Sequence, residues 1–311
     1  MSRCHLCGDA LGRVLATRDS KSNAPLVVQL CERCGLVQQR DIPSDQELRS
    51  YYSHHYRSDY KNTYVPKSKY IYRAGIAAKN RLNFLRFGAK NLALPQGATW
   101  LDIGAGGGEV VYAARQAGFD AKGIEPNEGY SDFARQHYDV VVQTSHLDQI
   151  QDKTYDIVSL FHVLEHMPNP VVAFEKLASL INRNGLLLIE VSNIEQADAS
   201  PSNIFFKAHL FYFSAATLVA CASKHFEPLV ISKTGNLSII FRKRAEEGAT
   251  LLPSKTDLQN LKKRLRQKGW LEYLTIGGGW KKPFKKISNA LVESGMAKMP
   301  PKDILNAALK S

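Results

Sequence analysis

Two groups of residues in this chain have the types and spacing to do chemistry at once. The first is a doubled Cys-x-x-Cys pattern: Cys4 and Cys7 in CHLC, then Cys31 and Cys34 in CERC. Each pair forms a tight knuckle that aims two thiolates at one point. The link between them closes the second pair onto the first, which is what a tetrahedral zinc site requires. A glycine follows each pair (Gly8 and Gly35), as sharp turns demand. Four thiolates leave no open coordination position, so this zinc is expected to be structural. Disulfides or reactive thiol pairs are the competing reading, and a cytoplasmic chain disfavours disulfides. Cys221 lies in an apolar helical stretch and is expected in the core.

The second group is the stretch GATWLDIGAGGGE, residues 97–109. An apolar run ends in Asp102, and four of the five residues from Gly104 to Gly108 are glycine. Without Cβ atoms, Gly104, Gly106 and Gly108 let the main chain approach a ligand closely. Glu125 follows, where an acid can accept hydrogen bonds from both hydroxyls of a ribose. A triphosphate loop wants Gly-Lys-Ser/Thr at its end, and this loop ends Gly-Gly-Glu. A dinucleotide loop wants a third glycine where Glu109 stands, and that carboxylate would repel a pyrophosphate. Asp102 likewise suits a cation. The expected ligand is an adenosine compound carrying positive charge, such as a sulfonium with an α-amino group.

The elements that must position these residues alternate along the chain. Strands are expected at ATWLDI, DAKGIE, DVVVQT, YDIVSLF and GLLLIEV, with helices after the first, second and fourth. The segment NRNG is expected to stop the third of these helices. A further helix, SAATLVACASKHF, precedes two strands, EPLVISKT and LSIIFRKR, joined around a Gly-Asn turn. The fold class is therefore α/β: a doubly wound, seven-stranded, mostly parallel Rossmann-like sheet behind a small N-terminal zinc module. Expected boundaries are residues 1–50 for the zinc module, 51–95 for a connecting segment and helix, 96–245 for the core, and 246–311 for a basic helical tail. The tyrosines of the connecting segment are expected at a half-buried interface or at a substrate entrance.

With these motifs in order, the stretches LDIGAGGGEVVYAARQAGFDAKGIEPNE and YDIVSLFHVLEHMPNP resemble the class I S-adenosylmethionine-dependent methyltransferases over about residues 70–244. The resemblance implies S-adenosyl-L-methionine as cofactor. Asp102, Gly104, Ala105 and Gly106 would then cradle its methionine part, and Glu125 its ribose. Ser145 and His146 would lie near the adenine, and Phe161 and His162 at the methionine end. The zinc-type module before the core is similar to that of sugar C-methyltransferases, which act on keto-deoxysugar nucleotides. Their segment Tyr-x-Glu-His-x-x-Tyr-x-Ser is matched here by FKAHLFYFS. His209, Tyr212 and Ser214 are kept, while Phe206 and Ala208 replace Tyr and Glu. The large C-terminal domain of that subfamily has only about 65 residues as counterpart.

Methyl transfer needs an aligned acceptor and, where the acceptor carries a proton, a base. Histidine is the simplest base near neutral pH. His209 is the first candidate and His162 the second, with Tyr212 weaker. Glu165 and His166 are expected to organise the turn before the next helix.

Composition narrows the class. The chain of 311 residues is 44% hydrophobic and 23% charged, with a net charge of +12. The N-terminus has no apolar leader-like run and no segment approaches a membrane span, so a cytoplasmic protein is expected. Residues 250–311 hold thirteen Lys/Arg against four Asp/Glu, so the basicity belongs to the tail. Its leucines, Leu258, Leu261 and Leu265 with Trp270 or Leu271, follow one helical face and are expected to pack on the core or on a second subunit. Peripheral docking on a membrane surface or a polymer is the alternative. The expected acceptor is a small molecule, a sugar, sugar nucleotide or glycan. An RNA methyltransferase and a non-catalytic protein that keeps the cofactor fold are the competing readings.

Overall fold

The computed structural model describes residues 2–51, 53, 65–90, 92, 94–150 and 153–311. Most tyrosines of the connecting segment (Tyr52, Tyr56, Tyr60 and Tyr64) lie outside the described residues. Eleven strands occur among those described: β1 (Val14–Arg18), β2 (Pro25–Leu30), β3 (Val37–Gln39), β4 (Thr99–Ile103), β5 (Asp120–Glu125), β6 (Val142–Thr144), β7 (Tyr155–Phe161), β8 (Ile181–Val191), β9 (Phe211–Tyr212), β10 (Phe226–Ser232) and β11 (Leu237–Lys243). The helices are α1 (Asp45–Ser50), α2 (Ser68–Gly88), α3 (Glu109–Gln116), α4 (Glu128–Tyr138), α5 (Pro170–Ser179), α6 (Ala215–Ala222), α7 (Lys255–Gln267), α8 (Trp270–Leu274), α9 (Lys282–Gly295) and α10 (Pro301–Lys310).

The expected seven-stranded sheet is present, in the order β10-β11-β8-β7-β4-β5-β6. The pairs β4–β5, β4–β7 and β5–β6 are parallel, and β10–β11 is the expected antiparallel hairpin. Strand β4 is buried from Trp100 to Ile103, as a strand covered on both faces must be. One expectation fails. NRNG does not end a helix outside the sheet; it lies inside β8. Asn182 is held there by its side-chain amide, which donates to Asp156 Oδ1 at 2.8 Å, and Asn184 takes φ +65. Asparagine tolerates that left-handed geometry, so the strand begins before the polar residues.

The chain forms two compact units. One comprises Ser44–Phe161, Ser179–Leu188 and Phe284–Ser311. It holds the glycine loop and the strands around it. Helix α10 packs along α2 here: a Cβ at Gly75 would meet Ala308 Cβ at 2.6 Å, so glycine permits the close approach.

The other unit comprises Met1–Pro43, His162–Ala178 and Ile189–Pro283. Its four-stranded sheet has the order β1-β2-β3-β9. Leu26, Val28 and Leu30 alternate inward along β2, at the period of a half-buried strand. They form a core with Val37, Ile194, Tyr212 and Leu261, against which Leu265 packs. Two of the tail leucines therefore pack on the N-terminal sheet, and Leu258 lies against Gly35.

Candidate functional site

The glycine loop is held open by its own backbone. Gly104, Gly106 and Gly108 have φ of +71, +57 and +83, which side chains with a Cβ rarely adopt. The Gly104 and Ala105 amides both donate to Ile124 O at 2.9 Å, tying the loop to β5. Glu125, at the end of β5, accepts from Gly106 N at 2.9 Å through Oε2 and from Asn127 N at 3.2 Å through Oε1. This carboxylate therefore fixes the loop in advance of any ligand. A Cβ at Gly123 would meet Ala105 Cβ at 2.6 Å, so the small residues let β5 and the loop touch.

Asp102 is 3% exposed. Its Oδ1 accepts from Ser159 Oγ at 2.6 Å, and Ser159 Oγ accepts in turn from Trp100 Nε1 at 2.8 Å. Burial pushes this carboxyl up to about 7, against the pull of Ser159 and the Arg81 charge. A buried carboxyl so poised favours a cationic neighbour, because a cation restores its ionised form. Arg81 sits over the Phe161 ring, 4.2 Å from its centroid. Ser145 donates its amide to Glu125 O at 3.3 Å, which puts it beside the second acid. His146 is half-buried, and its Nε2 lies 3.3 Å from Ser53 Oγ. Asp102, the glycines, Glu125, Ser145, His146 and Phe161 all belong to this one unit.

The two candidate histidines belong to the other unit. His162 has φ +57, a strained conformation for a residue with a side chain. Its ring is held between two carboxylates: Nδ1 is 3.2 Å from Glu165 Oε1 and Nε2 is 3.3 Å from Glu190 Oε1. Burial disfavours its charge, but hydrogen bonds to Glu165 and Glu190, with their charges, win and raise it to about 9. Asn236 Nδ2 lies 3.0 Å from Nε2. The same amide nitrogen donates to Glu190 Oε1 at 3.4 Å.

The ring remains 36% exposed, so water moderates these pairs. The folded value lies above the ordinary histidine value of 6.5. The stabilisation is therefore complete below about pH 6.5 and is lost as pH rises through about 9. Thermal unfolding of the parent and a His162→Gln variant should differ most near pH 6, and the gap should shrink by pH 10. A gap that stays constant would mean that packing, not charge, holds this ring.

Glu165 is 1% exposed. Burial opposes its charge, yet the bond to His162 and the His162 charge hold it down at about 2. Its Oε1 also accepts from Ser192 N at 3.3 Å, while Oε2 is buried without a hydrogen-bond partner. His209 is 7% exposed, with Nε2 at 4.0 Å from Glu165 Oε1. Burial and the His166 charge push His209 down to about 3, so it stays neutral throughout the physiological range. His166 donates from Nδ1 to Ala208 O at 2.6 Å. Ligand atoms of Glu165, His166 and His209 lie within 4.8 Å of one another. The expectation that Glu165 and His166 merely organise a turn covers only part of this arrangement. Tyr212 is committed to the backbone: its hydroxyl accepts from Phe206 N at 3.0 Å and donates to Phe206 O at 3.1 Å.

What holds His209 in place is the cysteine module. Cys4 Sγ lies 3.4 Å from Cys34 Sγ, and Cys7 Sγ 3.5 Å from Cys31 Sγ. Zinc–sulfur bonds of about 2.3 Å place tetrahedral sulfurs about 3.8 Å apart, so the four thiols fit that ion. The two knuckles repeat one geometry. Gly8 N donates to Cys4 O and Gly35 N to Cys31 O, both at 2.9 Å, with φ of +74 and +78 at the glycines. The module then grips the segment around His209. Strand β3 pairs with β9, Gln39 Nε2 donates to Lys207 O and His209 O at 2.9 and 2.8 Å, and Lys207 N donates to Asp19 Oδ2 at 2.6 Å.

Residues 72–225 match the family model described as a methyltransferase domain. The chain carries a class I S-adenosylmethionine-dependent methyltransferase domain. Curated relatives include the ubiquinone biosynthesis O-methyltransferase of Photobacterium profundum, 30% identical over 121 residues, or 36% of this chain and 50% of that protein. The enzyme of the same name from Bordetella avium is 34% identical over 107 residues, 32% of this chain and 44% of that protein. The chain thus spans about half the length of the curated relatives it matches. Among solved structures, magnesium protoporphyrin IX methyltransferase from Synechocystis PCC 6803 overlaps with a TM-score of 0.47 at 17% identity, over 65% of this chain and 100% of that one.

Within the methyltransferase domain, sequence reasoning missed three partners. Ser159 braces Asp102, Arg81 covers Phe161, and Glu190 closes the His162 pair. Ser159 and Glu190 sit on expected strands, two and one residues from the strand ends. Their side-chain direction could have been counted from the strand period. Arg81 had no such signal, since a cation on a helix is ordinarily solvated.

Proposed function

We propose that this protein transfers the methyl group of S-adenosylmethionine to a hydroxyl of a small-molecule acceptor. The observation that carries this reading is the pre-set cradle of Asp102, the glycine loop and Glu125 within a methyltransferase domain. Bound there, the cofactor supplies a methyl group already activated by its sulfonium. Asp102 would face the cationic methionine end together with Gly104, Ala105, Gly106 and Phe161. Glu125 would take the ribose hydroxyls, while Ser145 and His146 border the adenine. The four cysteines Cys4, Cys7, Cys31 and Cys34 would hold a structural zinc ion that keeps the His209 segment docked.

His209 is the proposed base. Its neutrality leaves it able to accept a proton, and the Glu165 carboxylate beside it would stabilise the imidazolium that forms. His162, charged between its two carboxylates, would orient Glu165. The kept His209, Tyr212 and Ser214 support a sugar-type acceptor, whereas the named relatives act in ubiquinone biosynthesis. A hydroxyl acceptor of either kind must lose a proton.

A methylation assay with labelled cofactor, run on a panel of nucleotide sugars and polyphenols, tests the acceptor class. In it, His209→Ala should lower kcat by about a hundredfold or more and leave cofactor affinity unchanged. With His209 pushed down to about 3, kcat should show no acid limb near 6.5. A limb at that value, or full activity in the variant, would remove His209 from this role.

A further inference from the structure

Large apolar side chains are exposed together at one place in the tail. Trp270, Leu271 and Leu274 of α8, Ile276, and Trp280 in the turn Gly279–Lys281 are 55%, 78%, 44%, 80% and 58% exposed. They fall within eleven consecutive residues of the unit that holds the cysteine module. Single exposed apolar residues are ordinary, but such a run is not.

The exposure follows from how the segment is fastened. A Cβ at Gly279 would lie 2.5 Å from the Tyr273 ring, and one at Gly277 would lie 2.3 Å from Ala197 O. Lys268 Nζ donates to Gln196 O at 2.6 Å, Arg264 Nε to Glu195 O at 2.6 Å, and Lys282 Nζ to Asp198 O. Glu272 pairs with Arg264. The segment is thus a folded hook, fastened to residues 195–198 through Gly277, Lys282 and the preceding Arg264 and Lys268, with Gly279 packed on Tyr273. Its tryptophans, leucines and isoleucine are left outward.

The charge around the hook selects a partner. Residues 255–286 contain ten Lys/Arg and two Asp/Glu. Both acids are occupied: Asp257 in the cap with Ser254, and Glu272 with Arg264. Exposed aromatic and aliphatic side chains within a lysine-rich stretch are the composition of a segment that lies in a lipid interface, with tryptophan at headgroup depth. A second copy meeting this face across a two-fold axis would set lysines against lysines. Single-stranded nucleic acid would use the tryptophans for stacking but has no use for Leu271, Leu274 and Ile276. Among the described residues no helix is long and apolar enough to cross a membrane.

We propose that the hook of residues 269–282 is a peripheral docking site for an anionic lipid surface, with Trp270, Leu271, Ile276 and Trp280 entering the interface. The hook is tied to residues 195–198, at the start of the link that carries His209, so docking would fix the start of that link.

Vesicle sedimentation and tryptophan fluorescence of the full-length, zinc-loaded protein test this. Trp100 is fully buried, so of the three tryptophans only Trp270 and Trp280 can change surroundings. Phosphatidylcholine vesicles containing phosphatidylglycerol should pellet the protein and shift its emission to the blue, and added salt should reverse both. Vesicles of phosphatidylcholine alone should do much less. The variant Trp270→Ser, Leu271→Ser, Ile276→Ser, Trp280→Ser should bind about a hundredfold more weakly. Its circular dichroism melt should be unchanged, since all four side chains are already exposed. Equal pelleting of the variant, or no pelleting of the parent, would overturn the proposal. So would a concentration-dependent dimer, or retention on RNA, that the same four substitutions abolish.

Discussion

Glu125→Ala should weaken S-adenosylmethionine binding by about a hundredfold or more. The carboxylate has two tasks. It is the proposed acceptor for the ribose hydroxyls, and hydrogen bonds to a charged group are worth about 1.5–3 kcal/mol each. It also accepts the Gly106 and Asn127 amides, so its loss unfastens the glycine loop before any ligand arrives. Glu125→Gln keeps an acceptor for one amide but loses the charge, and its loss of affinity should be about tenfold. Calorimetry with the cofactor, on variants whose melts match the parent, checks the order. Equal affinity of Glu125→Ala and the parent would contradict both tasks.

Removing the proposed zinc should cost more than any single substitution outside the four cysteines. Structural zinc sites contribute about 10–16 kcal/mol of apparent binding energy, while whole domains are stable by about 5–15 kcal/mol. The cysteine module has a small core of its own, and β3 carries β9 as its neighbour. A strong chelator, or Cys34→Ser, should therefore melt the β1-β2-β3-β9 sheet and release the segment that bears His209. Metal analysis should find one zinc per chain in the parent. Circular dichroism should show lost strand content after chelation, and methyl transfer should fall to background. Zinc-free protein that keeps its melt and its activity would remove the metal from the account.

Local signals were legible. The doubled Cys-x-x-Cys, the glycines after Asp102, and the acid closing β5 each carry their geometry in a few adjacent residues. Strand and helix order in the seven-stranded sheet followed from period and turn residues, whereas the sheet β1-β2-β3-β9 was not foreseen. Contacts between residues far apart in the chain were not legible. Nothing in residues 37–39 announces pairing with Phe211 and Tyr212, and nothing in Gly75 announces Ala308. The tail shows the same limit within one segment. Leu258, Leu261 and Leu265 do share a face turned to the core, but the helix ends at Gln267 and Gly269 is extended, with φ 177. Trp270 and Leu271 therefore leave that face, although the helical spacing of the sequence continues through them. Burial, too, is a product of folding. Only the packed structure makes Asp102 hard to ionise and keeps His209 neutral.

The most direct test of the central claim is isothermal calorimetry of the full-length, zinc-loaded protein with S-adenosylmethionine and S-adenosylhomocysteine. Both should bind at one site per chain and compete, and Glu125→Ala should abolish the signal at the same concentrations. No heat with either ligand, from protein shown to be folded and metal-loaded, would contradict that claim.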